Sequence, residues 1–222
     1  MSLQPPSARV QVKRLPERGR YERPLIEAIL DEALICHVGF VVDQQPYVIP
    51  TIHARDGDTL YVHGSNASRM LRNLKTGIPV CVTASIVDGL VLARSVFHHS
   101  INYRSVVVLG TAVEVEEEAE KVRALRAVVE HVAPARWEEA RAPNPAELKQ
   151  TTVLRVGLDE ASAKVRTGPP KDEEEDLRLP VWAGELPMRL VALEPRDDTH
   201  LPPGAARPEW LSRYERGGRG GP

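Results

Sequence analysis

Twice in this chain an Asp-Gly pair stands between two runs of strand-forming residues. Asp56-Gly57 separates YVIPTIHA (47–54) from TLYVHG (59–64), and Asp88-Gly89 separates IPVCVTASIV (78–87) from GLVLARSVF (89–97). Asp-Gly accepts the positive φ angles that a tight hairpin needs, so each pair predicts two strands running antiparallel side by side. A third run, LICHVGFVV (34–42), reaches a turn at Asp43-Gln44-Gln45-Pro46, which makes the first three strands a meander. SINYRSVVVLGTAVEVE (100–116) reads as one long strand, and TTVLRVGLDEASAKVR (151–166) as a final strand or strand pair. Pro50 cannot donate to a ladder, so its strand is expected at an edge, at a bulge, or with that part of its backbone facing something other than a neighbour. The pattern is mainly β, with at least six antiparallel strands closing into a barrel. Regular crossover helices are missing between the strands, which disfavours a Rossmann fold.

Helices are few. Pro24 opens PLIEAILDEA, where Leu25, Ile26, Ile29, Leu30 and Ala33 share one face. SNASRMLRNLKTG (65–77) gives a short helix with Ser65, Asn66 and Ser68 as candidate caps and Gly77 as its stop. EEEAEKVRALRAVVEHV (116–132) is the longest, its acidic start suited to the helix dipole. Residues 1–22 are polar and Pro/Arg-rich, and read as a flexible arm or a strap over a partner. Residues 23–167 form the domain. Residues 168–222 form an extension expected to pack on the barrel or on a dimer mate, with a disordered end.

Charge narrows the class. Lys and Arg number 29 against 31 Asp and Glu, a net charge of −2, so a dedicated nucleic-acid binder is not expected. No apolar run is long enough for a membrane span, and the start lacks a secretory pattern. Cys36 and Cys81 are lone cysteines, which suits a reducing compartment and a cytoplasmic protein.

Two segments carry possible chemistry. In LYVHGSNASR (60–69) a strand ends in a small polar loop and enters a helix. Free N–H groups there, with Ser65, Asn66 and Ser68, would hold an anion, and Arg69 would add charge-assisted contacts; ordinary helix capping explains the same residues. In NYRSV (102–106) Tyr103 and Ser105 share one strand face and Arg104 takes the other; a half-exposed strand with a cross-strand ion pair is the plainer account. Seven histidines are present without HxH or HExxH spacing, and adjacent His98 and His99 would point to opposite strand faces, so no metal site is indicated. His53 and His63 lie near the ends of two strands expected to pair, where they would line one pocket or serve as plain strand histidines. Neither GxSxG nor a phosphate-binding GxxxxGK[ST] occurs.

Taken in order, PYVIPTIH, an Asp-Gly turn, LYVHGS, SRMLRNL, IPVCVT and YRSVVVLGTA resemble the pyridoxamine 5′-phosphate oxidase-like, FMN-binding split-barrel superfamily, and within it the branch of the nitroimidazole-resistance reductases. The resemblance spans roughly residues 20–166. It implies a six-stranded antiparallel split β-barrel that works as a homodimer, with FMN in two clefts built from both subunits. It places Pro50, Thr51, Ile52 and His53 along the isoalloxazine edge, and His63, Gly64, Ser65 and Asn66 beside the flavin and its ribityl chain. Arg69 would meet the phosphate, Thr83 and Ser85 would complete that site, and Tyr103, Arg104 and Ser105 would approach from the partner. The Arg-rich C-terminal segment of true pyridoxamine-phosphate oxidases is missing, so a vitamin B6 substrate is not implied. Trp182 or Trp210 in the extension is a candidate cover for a flavin face.

The expectation is thus an FMN-dependent oxidoreductase acting on a small molecule, with NAD(P)H as a plausible donor. The flavin carries the electron chemistry, which fits the lack of a visible acid–base pair. Its rivals are a flavin storage or sensing protein, a split-barrel relative that uses haem or deazaflavin, and a flavin-free interaction module.

Overall fold

The computed structural model describes residues 4–215. In chain order the elements are β1 (Gly19–Arg20), α1 (Arg23–Glu32), β2 (Ile35–Val42), β3 (Gln45–Asp56), β4 (Thr59–Ser65), α2 (Arg69–Leu74), β5 (Pro79–Leu92) and β6 (Ser100–Thr111). There follow β7 (Val113–Glu114), α3 (Glu118–Val132), α4 (Arg136–Glu139), α5 (Pro145–Gln150), β8 (Thr151–Gly157), β9 (Glu160–Arg166) and β10 (Gly184–Pro187). All strand pairings are antiparallel, in the order β1-β9-β6-β5-β2-β3-β4-β8-β7, with β10 added to β5. The sheet curls around one apolar core but does not close. The six strands expected from the sequence therefore become ten among the described residues, because short edge strands and β10 join the ladder.

The turn at 43–44 has two residues with positive φ, Asp43 at 50° and Gln44 at 64°, as a tight hairpin between right-twisted strands requires. Gly57, with φ of 56°, makes the next one. The second Asp-Gly pair does something else. The expected hairpin at Asp88-Gly89 is a bulge inside the single long strand β5, where register shifts between Val87 and Gly89. Two contacts account for it. Asp88 is held by Arg104, and β10 comes so close that a Cβ on Gly89 would lie 2.8 Å from the Leu186 carbonyl oxygen. Glycine is required there for close approach of a backbone, not for a turn.

β3 bends. Residues 45–52 pair with β2 and residues 53–56 with β4, so over its first part the strand has one neighbour. Pro50 sits in that part, where its missing N–H leaves only one ladder to accommodate it.

The core lies between β2, β4, β5, β6, β8 and β9 and is plugged by α1 and α2. Ile26, Ile29 and Leu30 of α1 are buried at i, i+3 and i+4, and Met70, Leu71 and Leu74 of α2 close the other part. α3 packs outside over Tyr61, Val115 and Val153 through Ala124 and Leu125. The Glu117 carboxylate accepts from the Ala119 and Glu120 N–H groups at the start of α3. Residues 4–22 lie along β9: Val10 is buried, and Gly19 and Arg20 pair with Lys164 and Ala163. The final residues of the expected disordered end, 216–222, lie outside the described part. No described helix is long and apolar enough to cross a membrane.

Candidate functional site

At the end of β4 the chain makes a tight polar corner. A Cβ on Gly64 would lie 3.1 Å from Leu71 Cδ1, so glycine lets β4 run close against α2. Asn66 is fixed on three sides: its N–H donates to Gln150 O (3.0 Å), its Nδ2 to Lys149 O (2.6 Å), and its Oδ1 accepts from Thr152 Oγ1 (2.8 Å). The side chain is thereby spent on holding the corner to α5 and β8. Ser65 Oγ accepts from Ala67 N–H, and Ser68 Oγ, at 3.5 Å, accepts only weakly from Leu71 N–H. The first N–H groups of α2 have no intrahelical acceptor by geometry.

Arg69 projects from this corner. Its guanidinium carbon lies 4.7 Å from the centroid of the Tyr47 ring, and that ring stacks on Phe40 at 5.4 Å and 20°. No carboxylate among the described residues forms an ion pair with it. A guanidinium held on an aromatic shelf, without its own counter-ion, is arranged to receive an anion from outside. His63 is half-buried, its Nδ1 has no hydrogen-bond partner, and burial pushes its pKa down, so the ring is kept neutral.

A second surface is the outward side of the sheet. Strand alternation puts Ile35, His37 and Val41 of β2 on it, opposite Ile52, Pro50 and Pro46 of β3. It continues over β5 and β6: His37 faces Thr83, Thr83 faces Val107, and Ser85 faces Ser105, which in turn faces Lys164 of β9. Thr83 Oγ1 donates to Val106 O at 2.9 Å. Ile35, Val41, Val48 and Ile52 are exposed on this face, forming a flat apolar wall. Tyr103 lies farther along, opposite Val87 and Arg166.

Alternation also divides the expected site. Of the four residues 50–53, Pro50 and Ile52 share the outward face, whereas Thr51 pairs with buried Cys36 on the inner side. The Cys36 thiol is pushed up to about 12 by burial and is inert as a nucleophile. His53 does not reach the outward face: it is completely buried, its Nε2 donates to Leu30 O at 2.9 Å, and its ring lies 4.9 Å from that of His131. Arg104 does not join either. Its guanidinium is occupied by Glu32 at 2.8 Å and Asp88 at 2.7 Å, which ties the end of α1 to the β5 bulge and raises its pKa further. Arg69 stands over Tyr47, which packs toward the core, so one chain presents Arg69 and the row of Thr83, Ser85 and Ser105 on different sides of the β2–β3 hairpin. The sequence reading missed His37, Tyr47 and Phe40; counting alternate positions along β2 and β3 would have found them.

Among the described residues no group of three His, Cys, Asp or Glu side chains is placed to hold a metal ion. One histidine loop stands out for its exposure. Val96 and Phe97 are 90% and 85% exposed, and His99 Nδ1 donates to Ser95 O at 3.0 Å. That bond puts the proton on Nδ1 and leaves Nε2 of this exposed histidine with its lone pair. The loop is braced from the extension by Asp172, which accepts from Arg94 N–H and Nη1, both at 2.9 Å.

The family model described as pyridoxamine 5′-phosphate oxidase matches residues 22–165. Among solved structures, the flavocytochrome Anf3 from Azotobacter vinelandii is 40% identical with a TM-score of 0.90, the match covering 96% of this chain and 100% of that one. The FAD and heme binding protein from Mycobacterium smegmatis is 32% identical with a TM-score of 0.84, over 88% of this chain and 96% of that one. A candidate 5-nitroimidazole antibiotic resistance protein from Bacteroides thetaiotaomicron is 25% identical with a TM-score of 0.55, over 66% of this chain and 86% of that one. No curated protein matches the chain.

Proposed function

We propose, for a chain that belongs to the pyridoxamine 5′-phosphate oxidase family, that it binds a flavin together with haem and works as a redox protein. The observation that carries this reading is the extent of the likeness. The flavocytochrome and the FAD and heme binding protein match nearly all of the chain, its C-terminal extension included, whereas the nitroimidazole-type structure covers two thirds. The expected nitroreductase-like activity rests on the shorter match and FMN on the sequence resemblance alone; a flavin with haem rests on the two longer matches, and FAD on the Mycobacterium smegmatis protein.

The residues present fit both groups. For the flavin, Arg69 and the polar corner at Ser65 and Ser68 offer donors to a phosphate, and the outward wall of Ile35, Val48, Pro50 and Ile52 offers a flat apolar surface. Since one chain presents these on different sides of a hairpin, a complete site draws Arg69 and the Ser85–Ser105 row from two copies, and the protein is a homodimer with cofactors in its clefts. For haem, exposed His99 offers Nε2 as a ligand atom, its other ring nitrogen fixed by the Ser95 carbonyl, beside exposed Phe97. When bound, the flavin supplies two-electron and the haem one-electron chemistry. The chain's own part is to hold the phosphate, wall the ring and keep His63 neutral. A small-molecule substrate is expected, with NAD(P)H the donor to assay first.

The test is chemical. Protein purified without added cofactor is unfolded, and the released chromophores are separated and weighed by mass spectrometry. FAD with haem supports the reading. FMN alone returns the protein to the simpler flavoprotein expected from sequence, and a colourless extract overturns both.

A further inference from the structure

We propose that Asp172 of the C-terminal extension is the positioning residue for the haem ligand: it fixes the loop of residues 94–99 from behind, so that the His99 ring is held in one place before any ligand arrives. The inference rests on the haem reading above and adds to it what sets the ligand's position. Asp172 and its neighbour Glu173 lie beyond residues 22–165, the stretch that the family model matches. The device therefore belongs to the extension and gives it a task at the candidate haem site.

The Asp172 side chain is 1% exposed. It accepts from the Arg94 N–H and from Arg94 Nη1, both at 2.9 Å, and from the Ser95 N–H. Burial alone would raise the pKa of this carboxyl; the donors outweigh it and hold the group below the ordinary carboxylate value, so Asp172 is a fixed anion at neutral pH. Moving the loop away would strand that buried charge. Ser95 passes the order on. Its N–H is on Asp172, and its Oγ accepts from the Phe97 N–H at 3.3 Å. Its carbonyl accepts from the His98 N–H at 3.1 Å and from His99 Nδ1 at 3.0 Å. One residue thus joins the buried carboxylate on one side to the imidazole on the other.

Apolar packing does not order this loop, because its two large apolar side chains, Val96 and Phe97, stand out from the body. Its order comes from the polar contacts of Asp172 and Ser95. Without them, capturing a ligand would cost about 1–2 kcal/mol for each residue whose backbone had to be fixed; here that ordering is made in advance. The extension also separates the two adjacent histidines. Glu173 lies 3.5 Å from His98 Nε2, whereas His99, among the described residues, forms no ion pair with a carboxylate.

The experiment is a haem titration of full-length, flavin-loaded, haem-free protein, read by absorbance, with the electron paramagnetic resonance spectrum of the ferric complex as a second readout. Asp172→Ala and the same-shaped Asp172→Asn are compared with wild type, with His99→Ala and with Glu185→Gln. Glu185 accepts from Asn102 Nδ2 where β10 lies on β5, so its variant loosens the extension away from the loop. The haem dissociation constant is expected to rise about tenfold to a hundredfold in D172A, the usual cost of losing a group that orients a metal ligand, to rise less in D172N, and to stay unchanged in E185Q. The ferric signal is expected to broaden in D172A, because a freed ring takes several orientations, which a general loss of stability would not produce. Flavin content shows which variants fold, and D172N carries the test if D172A does not. Wild-type affinity and an unbroadened signal in the Asp172 variants, with haem lost from His99→Ala, overturn the positioning role and leave the haem reading in place. Equal weakening in D172A and E185Q overturns it as well, since any loosening of the extension would then suffice. A wild type that takes up no haem, or a His99→Ala that keeps it unchanged, overturns the reading on which the inference rests.

Discussion

The guanidinium of Arg69 rests 4.7 Å from the centre of the Tyr47 ring and has no carboxylate of its own among the described residues. As the flavin phosphate's partner, it gives a direct expectation. Arg69→Ala weakens flavin binding about tenfold to a hundredfold, the range of a charge-assisted hydrogen bond, and Arg69→Lys recovers part of it. Titration of the cofactor-free protein by flavin fluorescence reads the effect. An unchanged dissociation constant would move the phosphate elsewhere.

The haem assignment rests on one ring. His99→Ala is expected to release haem while flavin stays bound, and added imidazole is expected to restore the haem absorption bands in the variant. His98→Ala serves as the control, since the His98 ring is turned to Glu173 at 3.5 Å and packs edge-on against Phe97. Haem retained with unchanged bands in the His99 variant would exclude this ligand.

Arg104 is expected to matter for folding and not for cofactor. Removing it leaves Glu32 and Asp88 facing each other across a partly buried gap, which costs about 1–3 kcal/mol. For a chain of this size that is a fall of roughly 3–10 °C in Tm by calorimetry. Flavin content in Arg104→Ala is expected to be normal; loss of flavin without loss of stability would make Arg104 a ligand after all.

Acid should act through His63. Burial lowers its pKa in the fold. The unfolded chain therefore takes up a proton that the native chain refuses. Its contribution is complete above the ordinary histidine value of about 6.5 and declines as pH falls from there toward the lowered native value. Urea unfolding at about pH 7.5 and about pH 5.5 should show a larger acid loss in wild type than in His63→Gln. Equal losses would mean that the ring is protonated in the fold.

Much of this was legible in the sequence. Strands, helices and their order follow from periodicity and capping, and the corner at residues 63–69 follows from small polar residues before a short apolar stripe. What was not legible depends on contacts distant in sequence. Asp88-Gly89 has the local chemistry of a turn, but Arg104 and β10 make it a bulge. His53 looks like a pocket residue until α1 and α3 close over it, and Arg104 looks free until Glu32 arrives from the end of α1.

The most direct test is the visible absorption spectrum of the protein as purified, recorded before and after anaerobic reduction. The account predicts flavin and haem bands together, the flavin bleaching and the haem bands sharpening and shifting on reduction. A spectrum with flavin bands alone would contradict the haem half of the claim, and a colourless protein that takes up neither added flavin nor added haem would contradict it entirely.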